Sequence, residues 1–382
     1  MAITETDSST VSSRTAQLVK LVTEIGPDIP EIARRLNQFK ESVRYRYKEK
    51  IVNKGFAVQA APDHERLGLR RMVLVVEFSE PYRGYAQAIF AAMNELCYLI
   101  SFAKVLVGGE YVVNLSVPEE FLGSVNEFFH ELQRKGMFVK VDSMVFESAR
   151  NATMKAEYFD FDTGRWDFNL QELAPADFEA ANSLPSAPCK FDYVDLLIVK
   201  ELQLDANKSL KEISEKLGIN YKKLAWHHAT HVIARRMLKG YLVNWMGTRY
   251  DYAMDKAMHK KHAYFAIDLL VKDTNEFESM NLREKMSRLP FLWSEASGKS
   301  YYAVLALPID LVVEGLQYLG EATVQVKDRM TLLIMDQTDA IGFSIPYELY
   351  DSEKKQWSFN SKDLLERFDK LIMQIKVGGS PG

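Results

Sequence analysis

The chain has 382 residues, 47% hydrophobic and 26% charged, which is the make-up of a globular protein of roughly two to four domains whose cores need no disulfide or metal staple. Its 48 Lys and Arg against 52 Asp and Glu give a net charge of −4, which excludes a uniformly basic chain that coats nucleic acid. Cys97 and Cys189 stand far apart without metal-ligand spacing, the polar start MAITETDSST has no apolar signal core, and no apolar run is long enough for a membrane span. The expected compartment is the cytoplasm.

The first dozen residues, rich in Ser and Thr, read as an unstructured lead. Thr15–Ile25 reads as a helix with Leu18, Val19, Leu21, Val22 and Ile25 on its apolar side. A short helix at Pro30–Leu36 follows, and Val43, Tyr47 and Ile51 at i, i+4 and i+8 predict a longer third helix over Lys40–Lys54, stopped by Gly55. Phe56–Ala60 completes the unit as a wing strand. Strands at Met72–Phe78, Tyr98–Val107, Tyr111–Val117 and Phe138–Phe146 then alternate with helices at Gly84–Leu96 and Glu119–Arg134, the β-α-β-β-α-β order of a ferredoxin-like sandwich.

Residues 155–192 carry eight acids against three bases and three prolines, an acidic linker that packs through Tyr158, Phe159, Trp166 and Phe168, with a helix around Ala176–Ala181. The scheme then repeats. Tyr193–Leu202 is a helix, Ser209–Leu217 a second with Ser209 and Glu212 spaced as a capping box, and Tyr221–Lys239 a long third closed by Gly240. Ala263–Leu270, Phe291–Glu295, Tyr301–Leu307 and Thr331–Met335 read as strands, with helices at Asn275–Arg288 and Pro308–Leu319. The expected fold is α+β: winged helix-turn-helix units at 13–62 and 192–247, ferredoxin-like domains at 63–149 and 248–350, a linker at 150–191, and a C-terminal helix and tail at 351–382.

Positive charge gathers on the helical units. Residues 15–60 hold nine basic and five acidic side chains, a net of +4, and residues 192–245 hold nine and six, a net of +3. A third helix lying in the major groove needs an apolar stripe inward and a basic or polar face outward. Lys40, Ser42, Arg44, Tyr45, Arg46 and Lys48 supply such a face in the first unit; Tyr221, Lys222, Lys223, His227, His228, Arg235 and Arg236 supply it in the second. His227 and His231 sit at i, i+4, a spacing that suits a metal, but no carboxylate or cysteine lies in that helix to complete a site, so no metal is expected. His259 and His262 follow downstream. GxSxG, P-loop and GxGxxG motifs are absent, Gly108-Gly109 reads as a hairpin turn, and neither a catalytic site nor a cofactor is expected.

DLLIVKELQLDAN at Asp195–Asn207 with SLKEISEKLGI at Ser209–Ile219 resembles the opening of the Lrp/AsnC (feast/famine) winged-helix domain, and Glu31–Leu36 with Ser42-Val43-Arg44 and Lys54-Gly55-Phe56 is similar to the same motif. The Leu67-Gly68-Leu69 step and the Gly109-Glu110-Tyr111 hairpin resemble that family's βαββαβ domain. The resemblance implies a transcriptional regulator of archaeal or bacterial kind, here expected to be archaeal, which binds double-stranded DNA and assembles as a homodimer. It also implies a small-molecule effector near Gly108, Gly109, Glu110 and Tyr111, and no enzyme. Two copies in one chain, longer third helices, and Ser297–Tyr301 in place of the second hairpin depart from the pattern. The rival readings are a tetrapyrrole enzyme like the siroheme decarboxylases, which resemble this family in pairing such units, and a protein-interaction scaffold without DNA binding.

Overall fold

The computed structural model describes residues 6–170, 173, 187–245 and 264–378. The expected helix at Ala176–Ala181, His259 and His262 lie outside the described residues. Among the described residues no helix is long and apolar enough to cross a membrane.

The first unit is built from α1 (Thr6–Ile25), α2 (Ile29–Leu36) and α3 (Lys40–Tyr47), the last running on into a π turn, Lys48–Val52. The chain expected to be unstructured at the N-terminus is thus helical from Thr6. Leu18, Val19, Val22, Ile32, Val43, Tyr47 and Ile51 pack as one buried cluster, so the expected apolar stripe holds. β1 (Ala57–Pro62) follows. β2 (Leu69–Phe78), α4 (Ala86–Leu96), β3 (Leu99–Val105), β4 (Glu110–Pro118), α5 (Leu122–Arg134) and β5 (Phe138–Phe146) make the first ferredoxin-like half.

The region read as a linker starts with a strand, β6 (Ser148–Asn151), and holds a small hairpin of β7 (Phe159–Asp160) and β8 (Arg165–Trp166). The second unit has α6 (Tyr193–Leu204), α7 (Leu210–Leu217) and α8 (Tyr221–His227) with its own π turn, His228–Ile233. The expected capping box is present: Glu212 N–H donates to Ser209 Oγ at 3.2 Å, and Glu212 Oε2 accepts from Ser209 N–H at 2.7 Å. The long helix expected to reach Lys239 ends earlier. Arg236 turns the chain at φ 54, and β9 (Leu238–Asn244) takes in both Lys239 and Gly240. Pairing with β1 outweighs the helical propensity of that stretch.

The second half follows with β10 (Tyr264–Val271), α9 (Glu276–Arg288), β11 (Leu292–Ser297), β12 (Tyr301–Pro308), α10 (Val312–Ala322) and β13 (Met330–Gly342). A hairpin of β14 (Tyr350–Asp351) and β15 (Gln356–Trp357) and the helix α11 (Ser361–Gly378) close the described chain.

The halves are joined at two levels. β1 pairs antiparallel with β9, so the two wing strands form one ribbon. The sheet order is β5-β2-β4-β3-β13-β10-β12-β11-β6. β13 runs past β10 to pair with β3, and the chain from β5 into β6 runs past β2 to pair with β11. Only Glu147 separates β5 from β6, and its N–H donates to Ser297 O at 2.9 Å. The two ends of the order are therefore one continuous strand, and the sheets close on each other within a single chain. The sheet face that each half leaves open is covered by the chain's own other half.

Val73, Val75, Val112, Phe146, Ala266, Leu270, Tyr302 and Met335 fill the space between the sheets. The outer faces carry the helices.

Candidate functional site

The filling between the sheets is apolar at one end and polar at the other. Alternate residues of a strand face opposite ways. The residues in step with Val73 and Val75 on β2, with Val112 on β4 and with Ala266 and Leu270 on β10 are Arg71, Asn114 and Asp268. A chain of hydrogen bonds links them: Arg71 Nη1 donates to Asn114 Oδ1 at 3.2 Å, Asn114 Nδ2 to the Tyr302 hydroxyl at 3.4 Å, and that hydroxyl to Asp268 Oδ2 at 2.8 Å. Beside it, His64 Nδ1 lies 2.5 Å from Ser116 Oγ.

These groups border a cavity of about 150 Å³ between the sheets and the β1–β9 ribbon, lined also by Gln59, Asn244, Gln203, Phe102, Met335 and Phe343. A second cavity of about 60 Å³ shares His64, Arg71, Asn151 and Leu242 with it and adds Arg70, Arg150 and Lys239. Together the two are bordered by four Arg and Lys side chains, with Glu65, Glu147 and Asp268 as the carboxylates. Burial, then the charges of Arg71 and Lys239, push the His64 pKa down to about 3. The imidazole is therefore neutral at pH 7. Burial and the neighbouring Asp268 carboxylate push the Tyr302 hydroxyl far up, which keeps it a proton-bearing donor.

The depressed His64 pKa has a consequence for stability. A histidine takes up its proton in the unfolded chain near pH 6.5 but in the fold only near 3, so its contribution is complete above 6.5 and is lost as pH falls from there toward 3. Urea midpoints at pH 7 and pH 4 should draw closer together in His64→Gln than in the parent.

The residues expected to face DNA divide. Lys40, Ser42, Arg44, Tyr45 and Lys48 are exposed on α3 and its π turn, as are Tyr221, Lys222 and Lys223 on α8, and Arg236 beyond it. Arg46 is drawn back to Gln38 Oε1 at 2.9 Å, Arg235 is bonded to the Lys190 carbonyl, and His228 is half-buried. His227 is only 5% exposed. It cannot read a base edge, because its Nδ1 is turned inward to Asp195 Oδ1 at 2.8 Å. Asp195 also faces His231, so Asp192, Asp195, His227 and His231 gather at one point.

Gly108 and Gly109 make the turn before β4 with positive φ, Glu110 pairs with Lys140 at 2.6 Å, and Tyr111 is buried against Phe78 and Phe90. None of the four borders either inter-sheet cavity. The chamber itself was missed in the sequence. Its signal is a charged or amide residue inside an otherwise apolar strand, as with Arg71 in LRRMVLVVEF, Asn114 in YVVNLSVP and Asp268 in YFAIDLLV.

No protein-family model matches the sequence, and no curated protein matches it. Among solved structures, the crystal structure of the siroheme decarboxylase NirDL, and that of the same enzyme in co-complex with an iron-uroporphyrin III analogue, each match 94% of this chain and 98% of their own. Both do so at 11% identity with a TM-score of 0.51. An AsnC family transcriptional regulator from Agrobacterium tumefaciens matches 36% of this chain and 89% of its own at 12% identity and a TM-score of 0.27. Over nearly its whole length, then, this chain is similar in fold to a siroheme decarboxylase.

Proposed function

We propose that the chain is an enzyme that removes CO2 from a carboxylate-bearing substrate held at the inter-sheet chamber, a tetrapyrrole being the substrate class to test first. The observation that supports this most is the cationic lining: Arg71 borders both cavities, and Arg70, Arg150 and Lys239 border the smaller one, where a purely structural sandwich would place apolar side chains. The larger cavity has the volume of about five waters, at about 30 Å³ each. It takes one acidic arm of such a substrate, not the whole macrocycle. The fold shared with the siroheme decarboxylase agrees with this reading.

In the reaction R–CH2–COO⁻ loses CO2, the electron pair of the broken C–C bond stays on the methylene carbon, and one proton completes the methyl group. Arg71 anchors and orients the acidic arm as a charge-assisted partner. Phe102, Met335 and Phe343 supply the poorly solvated wall that favours loss of a charged carboxylate. His64 is the proton donor. Its pKa is held down first by burial and then by Arg71 and Lys239, and an entering carboxylate offsets those two charges and so shifts the imidazole toward its protonated form.

Siroheme incubated with the protein under anaerobic conditions and analysed by mass spectrometry tests the proposal. The expected product has lost one or more CO2, and His64→Gln should form it at least about a hundred times more slowly. Unchanged substrate under conditions in which the protein is folded would sink the reading.

A DNA-reading function has a specific observation in its favour as well: the exposed Lys40, Ser42, Arg44, Tyr45 and Lys48 on one unit and Tyr221, Lys222 and Lys223 on the other. Titration of random duplex at several salt concentrations separates the two. Steep salt dependence that flattens in an Arg44→Ala, Lys48→Ala variant would favour it.

A further inference from the structure

Asp195 on α6 is fully buried and has no Lys or Arg partner among the described residues. Two imidazoles face it instead. His227 Nδ1 is 2.8 Å from Oδ1, His231 Nδ1 is 2.9 Å from Oδ2, and Asp192 Oδ1 lies 3.6 Å from His227 Nδ1. The four donor atoms lie within 4.8 Å of one another. The start of α6 supplies backbone donors to both carboxylates, Asp192 N–H to Asp195 Oδ2 at 2.9 Å and Val194 N–H to Asp192 Oδ1 at 2.9 Å, and no Lys or Arg among the described residues joins them. A divalent cation at the point the four side chains share balances both carboxylates.

We propose that Asp192, Asp195, His227 and His231 form a binding site for a divalent cation of the zinc class. Two imidazoles four residues apart with two carboxylates are a donor set that zinc accepts, and that cobalt and nickel share. Bonds of about 2.0–2.1 Å set tetrahedral donors about 3.3 Å apart. The two His–Asp195 contacts of 2.8–2.9 Å therefore open by about half an ångström, and the donor pairs that lie farther apart, up to 4.8 Å, close, to admit the ion. His227 ends the α-helical part of the third helix and His231 lies in the π turn after it, a turn the first unit has as well at Lys48–Val52.

The site belongs to one unit only. Asn37 and Gly218 are the left-handed residues that end the second helix of each unit. Nine and thirteen residues beyond them stand Arg46 and Lys50 in the first unit, but His227 and His231 in the second. The ion would tie the first helix of the second unit to its third, through ligands the first unit does not have. The site does not depend on the chamber or on what the chamber binds.

The test uses the full-length, untagged protein stripped with EDTA and titrated with zinc or cobalt chloride. Trp226, which is 54% exposed, has its ring 5.0 Å from that of His227 and 4.8 Å from that of His231, so bound cobalt should quench its fluorescence. We expect one equivalent of cation bound, loss of the quench in Trp226→Phe with zinc binding retained against a competing chromophoric chelator, and at least tenfold weaker binding in His231→Gln. Failure of the stripped protein to take up either ion, or equal affinity in a folded His231→Gln, would overturn the proposal. If His231→Gln does not fold, the cobalt quench of Trp226 in the parent decides.

Discussion

Replacing Glu201 by Gln should lower the unfolding free energy of the second helical unit by about 3 kcal/mol, read as a drop in urea midpoint without a change in slope. Glu201 is fully buried in α6, and its two oxygens take three lysines: Lys200 and Lys208 at 3.0 Å and Lys216 at 2.9 Å. Gln keeps the shape but not the charge, so three ammonium groups lose their counter-ion. The lysines are themselves partly exposed, which places the cost at the low end of what breaking a buried pair incurs. Burial alone would raise the pKa of this carboxyl, but hydrogen bonds from Lys216, Lys200 and Lys208 outweigh it and hold the group at about 2. The folded value lies below the usual 4.5, so the stabilisation is whole above pH 4.5 and is lost as pH falls toward 2. The variant should therefore be nearly indifferent to pH over that window where the parent is not.

Gly240→Ala should cost about 2–4 kcal/mol by the same measurement. Gly240 holds φ at +136, and a Cβ there would lie 2.8 Å from the Thr23 carbonyl oxygen on α1. Backbone of a helix cannot step aside as a side-chain tip can. The contact is where the first unit's opening helix rests on the second unit's wing strand, so the variant also loosens one half from the other. Gly68→Ala is the control. It has φ of +74 but nothing within 4 Å, so it bears backbone strain alone, about 1 kcal/mol.

Much of the architecture was legible residue by residue. The stripe of Val43, Tyr47 and Ile51, the Ser209–Glu212 cap and the strand Phe138–Phe146 are local patterns, and each stands as read. What was not legible is partnership. Apolar alternation says that β3 and β13 have a face to bury, but not that they pair, and a wing strand does not announce that its neighbour is the other wing. Once β1 and β9 join, the stretch after Ile233 must leave the helix, and the reading of Tyr221–Lys239 fails there. The same blindness hid both sites. Asp195 lies 32 positions from His227, so a search for ligands within the histidines' own helix could not find it. Arg71, Asn114 and Asp268 come from three strands, and none of them alone marks a site.

In the proposed function the chamber between the sheets takes an anionic ligand through Arg71. The direct measurement is an absorbance titration of iron uroporphyrin into the parent and into Arg71→Met, with folding of both checked by circular dichroism. Losing the charged anchor of a carboxylate costs about 2–5 kcal/mol, or roughly thirtyfold to several-thousandfold in affinity. The expected result is a saturable shift of the porphyrin band in the parent and a loss of affinity of that size in the variant. A parent that leaves the band unmoved, or a variant that binds as tightly as the parent, would contradict it.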